Sequence, residues 1–377
     1  MMTRNVSHPH RFDRRALLKG SAALAGVTAL RGSPAYAAEK SGNAVDRVME
    51  QMSLIEKIGQ MFVIQAADAV MPTWFANSLQ SIQPGGVLFV QPNIGSPDQI
   101  AAYIDAIHKS GNHVPPFVGV DQEGGPVTRV PGDPVPGASS MAALPDAHVQ
   151  KLAKERAKFL ESFGFDVNFA PVADVAYTSR STMYYRAFGN NPKSVAAKIS
   201  AMVEGSRDGG IGSAAKHFPG HGRTEVDSHF GLPAIDVSFE EWIETDALPF
   251  AAAIEEGVEM IMLGHLDYTQ WDDAPASISK VAVSHLRNDL GFQGVAVTDD
   301  LGMGALGAYT PYELADKAIE AGVDLMMWTS AGVTFADLIS HIQKRVDKGA
   351  VSQDRIDESV RRILLMKTHW FPFPEAD

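Results

Sequence analysis

The sequence of 377 residues carries 45 acidic and 32 basic residues, which gives a formal net charge of −13 at pH 7. Such an acidic surface repels nucleic acid and anionic membranes, so neither is expected as a partner. The chain has no cysteine, which excludes disulfides, thiol catalysis and zinc sites built on thiolates.

The first residues have the features of an export signal. Arg14 and Arg15 precede an apolar run at residues 21–30, followed by a small-x-small cleavage pattern that ends at Ala37. The run is roughly half as long as a membrane span requires. We therefore expect residues 1–37 to direct export by the twin-arginine route, to the periplasm or the exterior; a retained hydrophobic tether is the alternative. Cleavage removes six Lys/Arg and one Asp, which leaves 26 basic and 44 acidic residues and a net charge of −18.

Short apolar runs alternate with amphipathic stretches along residues 38–377. The runs predict eight strands, at 61–65, 86–90, 117–121, 167–175, 213–217, 260–265, 294–299 and 324–328. Helices are predicted between them at 97–109, 147–163, 192–207, 239–256, 311–321 and 335–348. Parallel strands need such helical connections. Eight units of this kind predict an α/β fold, a closed (β/α)₈ TIM barrel formed by residues 38–377 as a single domain.

Polar residues cluster where these runs end. At or just beyond the C-terminal ends of five runs lie Asp121, Asp174, Lys216, His217, His265 and Asp299. Barrel enzymes build their active sites on the face where the strands end. The sequence therefore predicts a catalytic site on this face.

The longest polar loop follows the fifth run, at residues 216–229, which read KHFPGHGRTEVDSH. Proline and glycine exclude a helix there and allow the loop to move. In an extended chain, residues two apart point the same way, so Asp227 is placed to bind the His229 ring and raise its basicity. The pair is a candidate general acid/base. The alternatives are plain surface histidines, or a metal site built from His217, His221, Asp227, His229 and His265.

The seventh run ends in two carboxylates, Asp299 and Asp300, and either is a candidate nucleophile. Asp299 continues the strand, so we expect it to be held rigidly toward the barrel mouth. Asp300 begins the loop, where an aspartate often caps or orients a helix. Residues 302–307 match G-x-G-x-x-G, but adjacent aspartates would repel a pyrophosphate, so a dinucleotide site is not expected.

Two further segments carry groups suited to binding hydroxyls. Asp121 and Arg129 follow the third run, and a carboxylate together with a guanidinium can hydrogen-bond vicinal hydroxyls. Asp121 is alternatively a residue that only ends its strand. Arg186, after the fourth run, is either a second guanidinium of this kind or half of a structural ion pair.

Four motifs occur in a fixed order: VDQEGG at residues 120–125, NFAPVAD at 168–174, KHFPGHG at 216–222 with DSH at 227–229, and LGFQG followed by TDDLGM within 290–303. Together they resemble glycoside hydrolase family 3, and more narrowly its bacterial exo-β-N-acetylglucosaminidase (β-N-acetylhexosaminidase) branch. The resemblance spans about residues 45–367, and the ordered combination is specific to the family.

The resemblance implies that Asp299 is the nucleophile and that Asp227 with His229 is the general acid/base. It implies that the sugar hydroxyls are held by Asp121, Arg129, Arg186, Lys216 and His217. Many relatives take their acid from a second α/β domain, whereas here the barrel itself is expected to supply it. No metal or cofactor is implied. The expected substrate is an oligosaccharide with a terminal β-linked N-acetylglucosamine, such as a peptidoglycan fragment or a chitooligosaccharide, cleaved with retention by a monomeric enzyme through a glycosyl-enzyme.

Two positions depart from the family pattern. Pro126 stands where relatives often have arginine, and residues 182–185 replace the usual lead-in to Arg186, so the resemblance does not define subsite preference or the role of Arg186. An N-acetylglucosaminide phosphorylase and a β-glucosidase of the same family are the alternative enzymes, because a histidine acid/base also admits phosphate. A catalytically inactive sugar-binding protein is the alternative of another class.

Overall fold

The computed structural model describes residues 34–111 and 113–373. The chain divides into two compact units, residues 1–40 and residues 41–377. Apart from its last four residues, the predicted export signal at 1–37 lies outside the described residues, so the signal and its cleavage stay predictions. Within the described ranges, no helix is long and apolar enough to cross a membrane.

Strands and helices alternate along the described residues. The strands are β1 (Phe62–Gln65), β2 (Gly86–Phe89), β3 (Phe117–Val120), β4 (Val167–Asn168), β5 (Gly212–Phe218), β6 (Ala234–Ile235), β7 (Met260–Leu263), β8 (Asp267–Tyr268), β9 (Val295–Thr298) and β10 (Met326–Trp328). The α-helices are α1 (Pro34–Gln51), α2 (Leu54–Gln60), α3 (Thr73–Ile82), α4 (Pro97–His108), α5 (Ala138–Met141), α6 (Asp146–Glu161), α7 (Pro192–Asp208), α8 (Phe239–Glu244), α9 (Ala247–Glu255), α10 (Lys280–Ser284), α11 (Pro311–Ala321), α12 (Phe335–Asp347) and α13 (Gln353–Lys367).

Eight of the strands form one parallel sheet in the order β10-β1-β2-β3-β4-β5-β7-β9. The two ends of this order also meet, because Val297 of β9 forms a single parallel bridge with Leu325, the residue directly before β10. The sheet therefore closes almost completely on itself. Its strands are mainly apolar and almost wholly buried, as expected for a parallel sheet with a packed interior and helices outside. The predicted (β/α)₈ barrel is confirmed.

All eight predicted strands are present. The predicted run 167–175 yields a strand that ends already at Asn168, and further along it Pro171 has no amide hydrogen to give to a ladder. The predicted helices agree with the structure to within two residues at each end, with one exception.

The single helix predicted at 239–256 is wrong. The structure has two helices there, α8 and α9, interrupted at Thr245 and Asp246. The interruption allows the buried Asp246 carboxylate to accept a hydrogen bond from Arg223, at 2.8 Å. Arg223 belongs to the long loop after β5, so the break helps to hold that loop. The short strands β6 and β8, which were not predicted, pair with each other just beyond the same loop.

Asp324 completes the closure between β9 and β10. Its side chain is fully buried, and Oδ2 accepts hydrogen bonds from the backbone N–H of Ala296 and from Arg287. Oδ1 accepts from Ser359, at 2.7 Å, and from Arg362, at 3.1 Å. One carboxylate thus joins a barrel strand, the segment before β9 and helix α13 where the strand ladder itself is incomplete.

Replacing Asp324 by alanine should lower the free energy of unfolding by about 3–5 kcal/mol, because it leaves buried guanidinium groups without their counter-charge. The measurement is urea denaturation followed by circular dichroism. The exposed Asp347→Ala on α12 removes the same charge and should change stability by no more than about 0.5 kcal/mol. Equal effects of the two substitutions would show that Asp324 does not hold the barrel closed.

Candidate active site

The predicted polar residues converge on the barrel mouth. Asp121 follows β3, Lys216 and His217 lie in the last part of β5, His265 follows β7, and Asp299 follows β9. Because the carboxyl ends of parallel strands meet on one face, side chains far apart in sequence become neighbours.

Asp299 stays in line with its strand, since its N–H donates to the carbonyl of Leu263 at 2.9 Å. Burial acts to raise the pKa of this carboxyl, but His217, His265 and Lys216 outweigh it and lower the pKa to about 2. Asp299 is therefore a carboxylate at neutral pH, partly exposed at the mouth.

Asp300 has a different environment. Its Oδ1 accepts hydrogen bonds from the N–H groups of Gly302 and Thr329, both at 3.0 Å, and its Oδ2 accepts from the Thr329 hydroxyl. Both oxygens are thus occupied in shaping the loop. His265 adds to this, because its Nε2 donates to the Asp300 carbonyl at 2.8 Å. Of the two candidate nucleophiles, Asp300 fits the role of orienting the loop, whereas Asp299 lies partly exposed at the barrel mouth.

A buried cluster of charges lies beside Asp299. Lys216 Nζ is 2.6 Å from Asp121 Oδ1 and 2.8 Å from Glu123 Oε1. Arg186 makes two parallel hydrogen bonds to Glu123, of 2.9 and 2.7 Å. Burial raises the pKa of Glu123, yet Lys216 and Arg186 hold it well below its usual range. The structure therefore brings Asp121, Arg186 and Lys216 together as predicted, around a carboxylate that was not predicted.

Glu123 was missed although it lies inside the motif that was recognised. Its spacing from Asp121 offered a signal, because residues two apart in an extended segment share a side. The intervening Gln122 points elsewhere, since its amide oxygen accepts from the N–H groups of Arg129 and Val130. Arg186 is consequently an ion-paired residue, as the second interpretation of it proposed, and it also lies beside the site.

Arg129, which was predicted as a sugar ligand, makes no contact with the charge cluster among its hydrogen bonds in the described part of the chain. Its backbone N–H binds Gln122 at 2.8 Å, and its side-chain Nε is buried without a hydrogen-bond partner among the described residues. A buried donor without an acceptor is unfavourable. These contacts do not connect Arg129 to the cluster around Glu123.

His217 is oriented by a buried carboxylate. Its Nδ1 donates to Asp174 Oδ2 at 2.7 Å, and its Nε2 lies 3.4 Å from Arg186. Asp174 Oδ1 also accepts from the N–H of His221 at 2.6 Å. Burial and the neighbouring His217 lower the pKa of His221 to about 4, so that ring is neutral at pH 7. Asp174 therefore fixes both the ring of His217 and the start of the loop.

The predicted Asp227–His229 pair is present. Asp227 Oδ1 accepts from His229 Nδ1 at 2.7 Å and from the His229 N–H at 3.0 Å. Burial acts to raise the pKa of Asp227, but the bonds from His229 hold it below its usual value. The reason given for the contact was wrong, because residues 228–230 form a turn rather than an extended segment. Both side chains are exposed, the imidazole by 61%.

The loop that carries His229 is attached at several points. Arg223 binds Asp246 and Glu241 at 2.8 and 2.7 Å near its start. Its middle touches the segment after Asp299, where the His229 carbonyl accepts from the N–H of Gly304 at 3.2 Å. A Cβ on Gly304 would lie 2.6 Å from that carbonyl oxygen. This glycine of the G-x-G-x-x-G pattern thus permits the two loops to approach each other.

A metal site was one interpretation of the histidines. Among the described residues, no group of three or more His, Asp or Glu side chains is arranged to hold a metal ion. The histidine rings instead pair with other groups: His217 with Asp174, His229 with Asp227, and His265 with Ser277 at 2.8 Å.

Comparisons with known proteins agree with this geometry. The family model described as the glycosyl hydrolase family 3 N-terminal domain matches residues 53–366. The β-hexosaminidase A of Pseudoalteromonas piscicida is 31% identical over 337 residues, which cover 81% of this chain and 56% of that protein. The β-hexosaminidase LpqI of Mycobacterium tuberculosis is 30% identical over 83% of this chain and 82% of its own. A solved family 3 β-N-acetylglucosaminidase from Paenibacillus sp. FPU-7 superposes with a TM-score of 0.80 at 30% identity, over 84% of this chain and 62% of that one.

A (β/α)₈ barrel with carboxylates at its mouth, matched by this family model over residues 53–366, defines the class of the protein by its family. The chain belongs to glycosyl hydrolase family 3, and it groups there with the β-N-acetylhexosaminidases. It spans 56% of the length of the P. piscicida protein and 62% of the Paenibacillus chain, so what those longer proteins do carries over only as a proposal.

Replacing Glu123 by glutamine should lower the free energy of unfolding by about 3–5 kcal/mol at pH 7, because Arg186 and Lys216 lose a buried counter-charge. The pKa of Glu123 is lowered in the folded protein, so its stabilising effect is complete above the usual glutamate pKa and declines as the pH falls below it. The difference between wild type and Glu123→Gln should therefore shrink below about pH 4, as measured by denaturation at several pH values. The exposed Glu161→Gln on α6 is the control. If the difference in unfolding free energy between wild type and Glu123→Gln did not change with pH, Glu123 would not be the ionised partner of Arg186 and Lys216.

Proposed function

We propose that the protein is a retaining exo-β-N-acetylglucosaminidase that removes terminal β-linked N-acetylglucosamine from peptidoglycan fragments or chitooligosaccharides. The observation that carries the proposal is the position of Asp299, held directly after β9 at the barrel mouth by the bond from its N–H to the Leu263 carbonyl. The neighbouring His217, His265 and Lys216, which lower the pKa of Asp299 to about 2, support it. The names of the relatives support the substrate class. Residues 1–37 support export to the periplasm or the exterior, where such glycans occur.

In the first step, a carboxylate oxygen of Asp299 attacks the anomeric carbon of the bound sugar. The glycosidic bond breaks, its electron pair goes to the leaving oxygen, and that oxygen takes a proton from the His229 imidazolium. The Asp227 carboxylate stabilises the imidazolium and orients the ring through Nδ1, which leaves Nε2 as the proton donor. The product is a covalent glycosyl-enzyme on Asp299.

In the second step, water attacks the same carbon from the side that the leaving group vacated. His229 takes the proton from the water, the bond to Asp299 breaks, and Asp299 is released as a carboxylate. Two inversions at one carbon retain its configuration. Each group thereby returns to its starting protonation state, and the reaction needs no cofactor.

The charge cluster supplies the hydrogen bonds to the sugar. Asp121 accepts from Lys216 through Oδ1 and is partly exposed, so its other oxygen accepts from a hydroxyl. Arg186 and Lys216 contribute N–H donors, and His217, whose Nδ1 donates to Asp174, has Nε2 left to accept. Arg129 completes the set as a proposed ligand, since a hydroxyl that accepts from its buried Nε would satisfy that donor.

The proposal is tested by covalent trapping. Incubation with a fluorinated N-acetylglucosamine donor, which slows breakdown of the intermediate, should label one peptide, and mass mapping should place the label on Asp299. Asp299→Ala should take up no label and should lose at least about 10³-fold in kcat, because no other group forms the intermediate.

Two outcomes would refute this assignment: label on another carboxylate, or rapid turnover by Asp299→Ala. Asp300→Asn is the matched variant, because it removes the adjacent charge and should still be labelled at Asp299. Assaying the product as free sugar or as sugar 1-phosphate, with and without phosphate, distinguishes hydrolysis from phosphorolysis.

Gly304→Ala tests the acid/base loop without changing a reacting group. The added Cβ collides with the His229 carbonyl and should move the imidazole. We expect kcat/KM to fall at least about tenfold for N,N′-diacetylchitobiose, whose leaving group needs protonation, and less than about threefold for a 2,4-dinitrophenyl glycoside, whose leaving group does not.

Gly307→Ala is the control for this experiment, because its Cβ meets an atom only at the milder distance of 3.3 Å. Equal losses on both substrates in Gly304→Ala would count against His229 as the acid.

A further inference from the structure

Phe230 follows His229 directly and is 87% exposed, more than any other large hydrophobic residue in the described part of the chain. An exposed phenyl ring is unfavourable in water, because its apolar surface remains hydrated. Contact with a ligand would remove this surface from water, and Phe230 lies next to a proposed reacting group.

The backbone beneath this ring is held in place. The N–H groups of Phe230 and Gly231 both donate to the Asp227 carbonyl, at 3.0 and 3.2 Å. The preceding carbonyl, that of His229, accepts from Gly304. The backbone that carries the ring is therefore fixed by hydrogen bonds on both sides of Phe230.

The position of Phe230 is tied to that of the proposed acid. The ring centroids of His229 and Phe230 are 6.5 Å apart, at an interplanar angle of 50°. A general acid has to lie about 3 Å from the oxygen that it protonates. The first sugar of the leaving group is attached to that oxygen, and the phenyl ring belongs to the residue directly after the proposed acid.

We propose that Phe230 is the platform on which the first sugar of the leaving group packs. The C–H face of a pyranose is apolar and matches the face of a phenyl ring, which has no hydrogen-bonding group to satisfy. Val226 and Leu232, exposed by 47% and 40%, extend the apolar surface of the same loop. The proposal rests on the proposed function, since it assumes that His229 protonates the glycosidic oxygen.

Phe230 is thereby a specificity-determining residue for the leaving-group side of the substrate. It acts only when that side carries a ring. Two substrates separate this contact from acid catalysis: methyl N-acetyl-β-glucosaminide and N,N′-diacetylchitobiose. Both leaving groups are alcohols that need protonation, but only the second has a sugar ring.

The experiment compares kcat/KM of wild type and Phe230→Ala on these two substrates. We expect about a tenfold loss on diacetylchitobiose, the order of one aromatic contact, and less than a twofold change on the methyl glycoside. Phe230→Tyr, which keeps the ring, should restore the wild-type ratio of the two values. Glu225→Ala, an exposed polar position on the same loop, controls for a general disturbance of the loop and should leave both values unchanged.

Equal losses on both substrates would overturn the proposal, because Phe230 would then act by positioning His229. Unchanged values on both would overturn it as well, because the ring would then contact neither leaving group. A wild-type protein that releases N-acetylglucosamine from neither substrate would instead refute the proposed function, and the role of Phe230 with it.

Discussion

The ion pairs of Glu123 with Lys216 and Arg186 connect the loops after β3 and β4 to the end of β5. Buried charges are unfavourable unless each has a partner at hydrogen-bond distance, and here Lys216 also binds Asp121. The same interactions set the electrostatics of the mouth. Because Lys216 lies in the buried end of β5, its positive charge also acts on Asp299 and helps to keep that carboxylate ionised. The forces that hold the loops together therefore also prepare the proposed nucleophile.

The two proposed reacting groups are held in different ways. Asp299 continues a buried strand, and its N–H is bound to the neighbouring strand. His229 lies on an exposed turn, attached to the barrel through Arg223 at the start of the loop and through Gly304 in its middle. Such an arrangement fits a reaction in which the nucleophile must be rigid, whereas the loop that carries the acid has to let the substrate enter and the product leave.

The sequence was sufficient for those features that depend on local pattern. Apolar runs separated by amphipathic stretches predicted every barrel strand, and the polar residues at their ends predicted the face of the site. The strands of a parallel barrel are buried on both sides, so their sequences are nearly continuous in hydrophobicity and easy to recognise. The motif around Asp121 and the loop that carries His229 could also be found from the sequence, because each follows a strand that is easy to recognise.

Features that depend on contacts with distant parts of the chain were either not predicted from the sequence or predicted for a wrong physical reason. The sequence alone does not show which of Gln122 and Glu123 faces the site. Only the contacts of Arg186 and Lys216 with Glu123 in the folded chain distinguish them. The break at Asp246 depends on Arg223, which lies in another loop. The contact between Asp227 and His229 was predicted from an extended chain but arises in a turn, because a short side chain can reach a residue two positions away in either geometry.

The placement of Phe230 beside His229 has a consequence for how such an enzyme selects its substrate. Residues on strand ends, such as Lys216, define the pocket for the sugar that is attacked, whereas the proposed contact with the leaving group moves with the acid. A leaving group that packs on Phe230 would stabilise the same loop position that brings His229 to the glycosidic oxygen. Binding energy from a non-reacting ring would then favour the geometry needed for proton transfer, which is how remote contacts raise kcat rather than only lower KM. Selectivity for the leaving group and alignment of the acid would thus depend on one turn of five residues, 227–231.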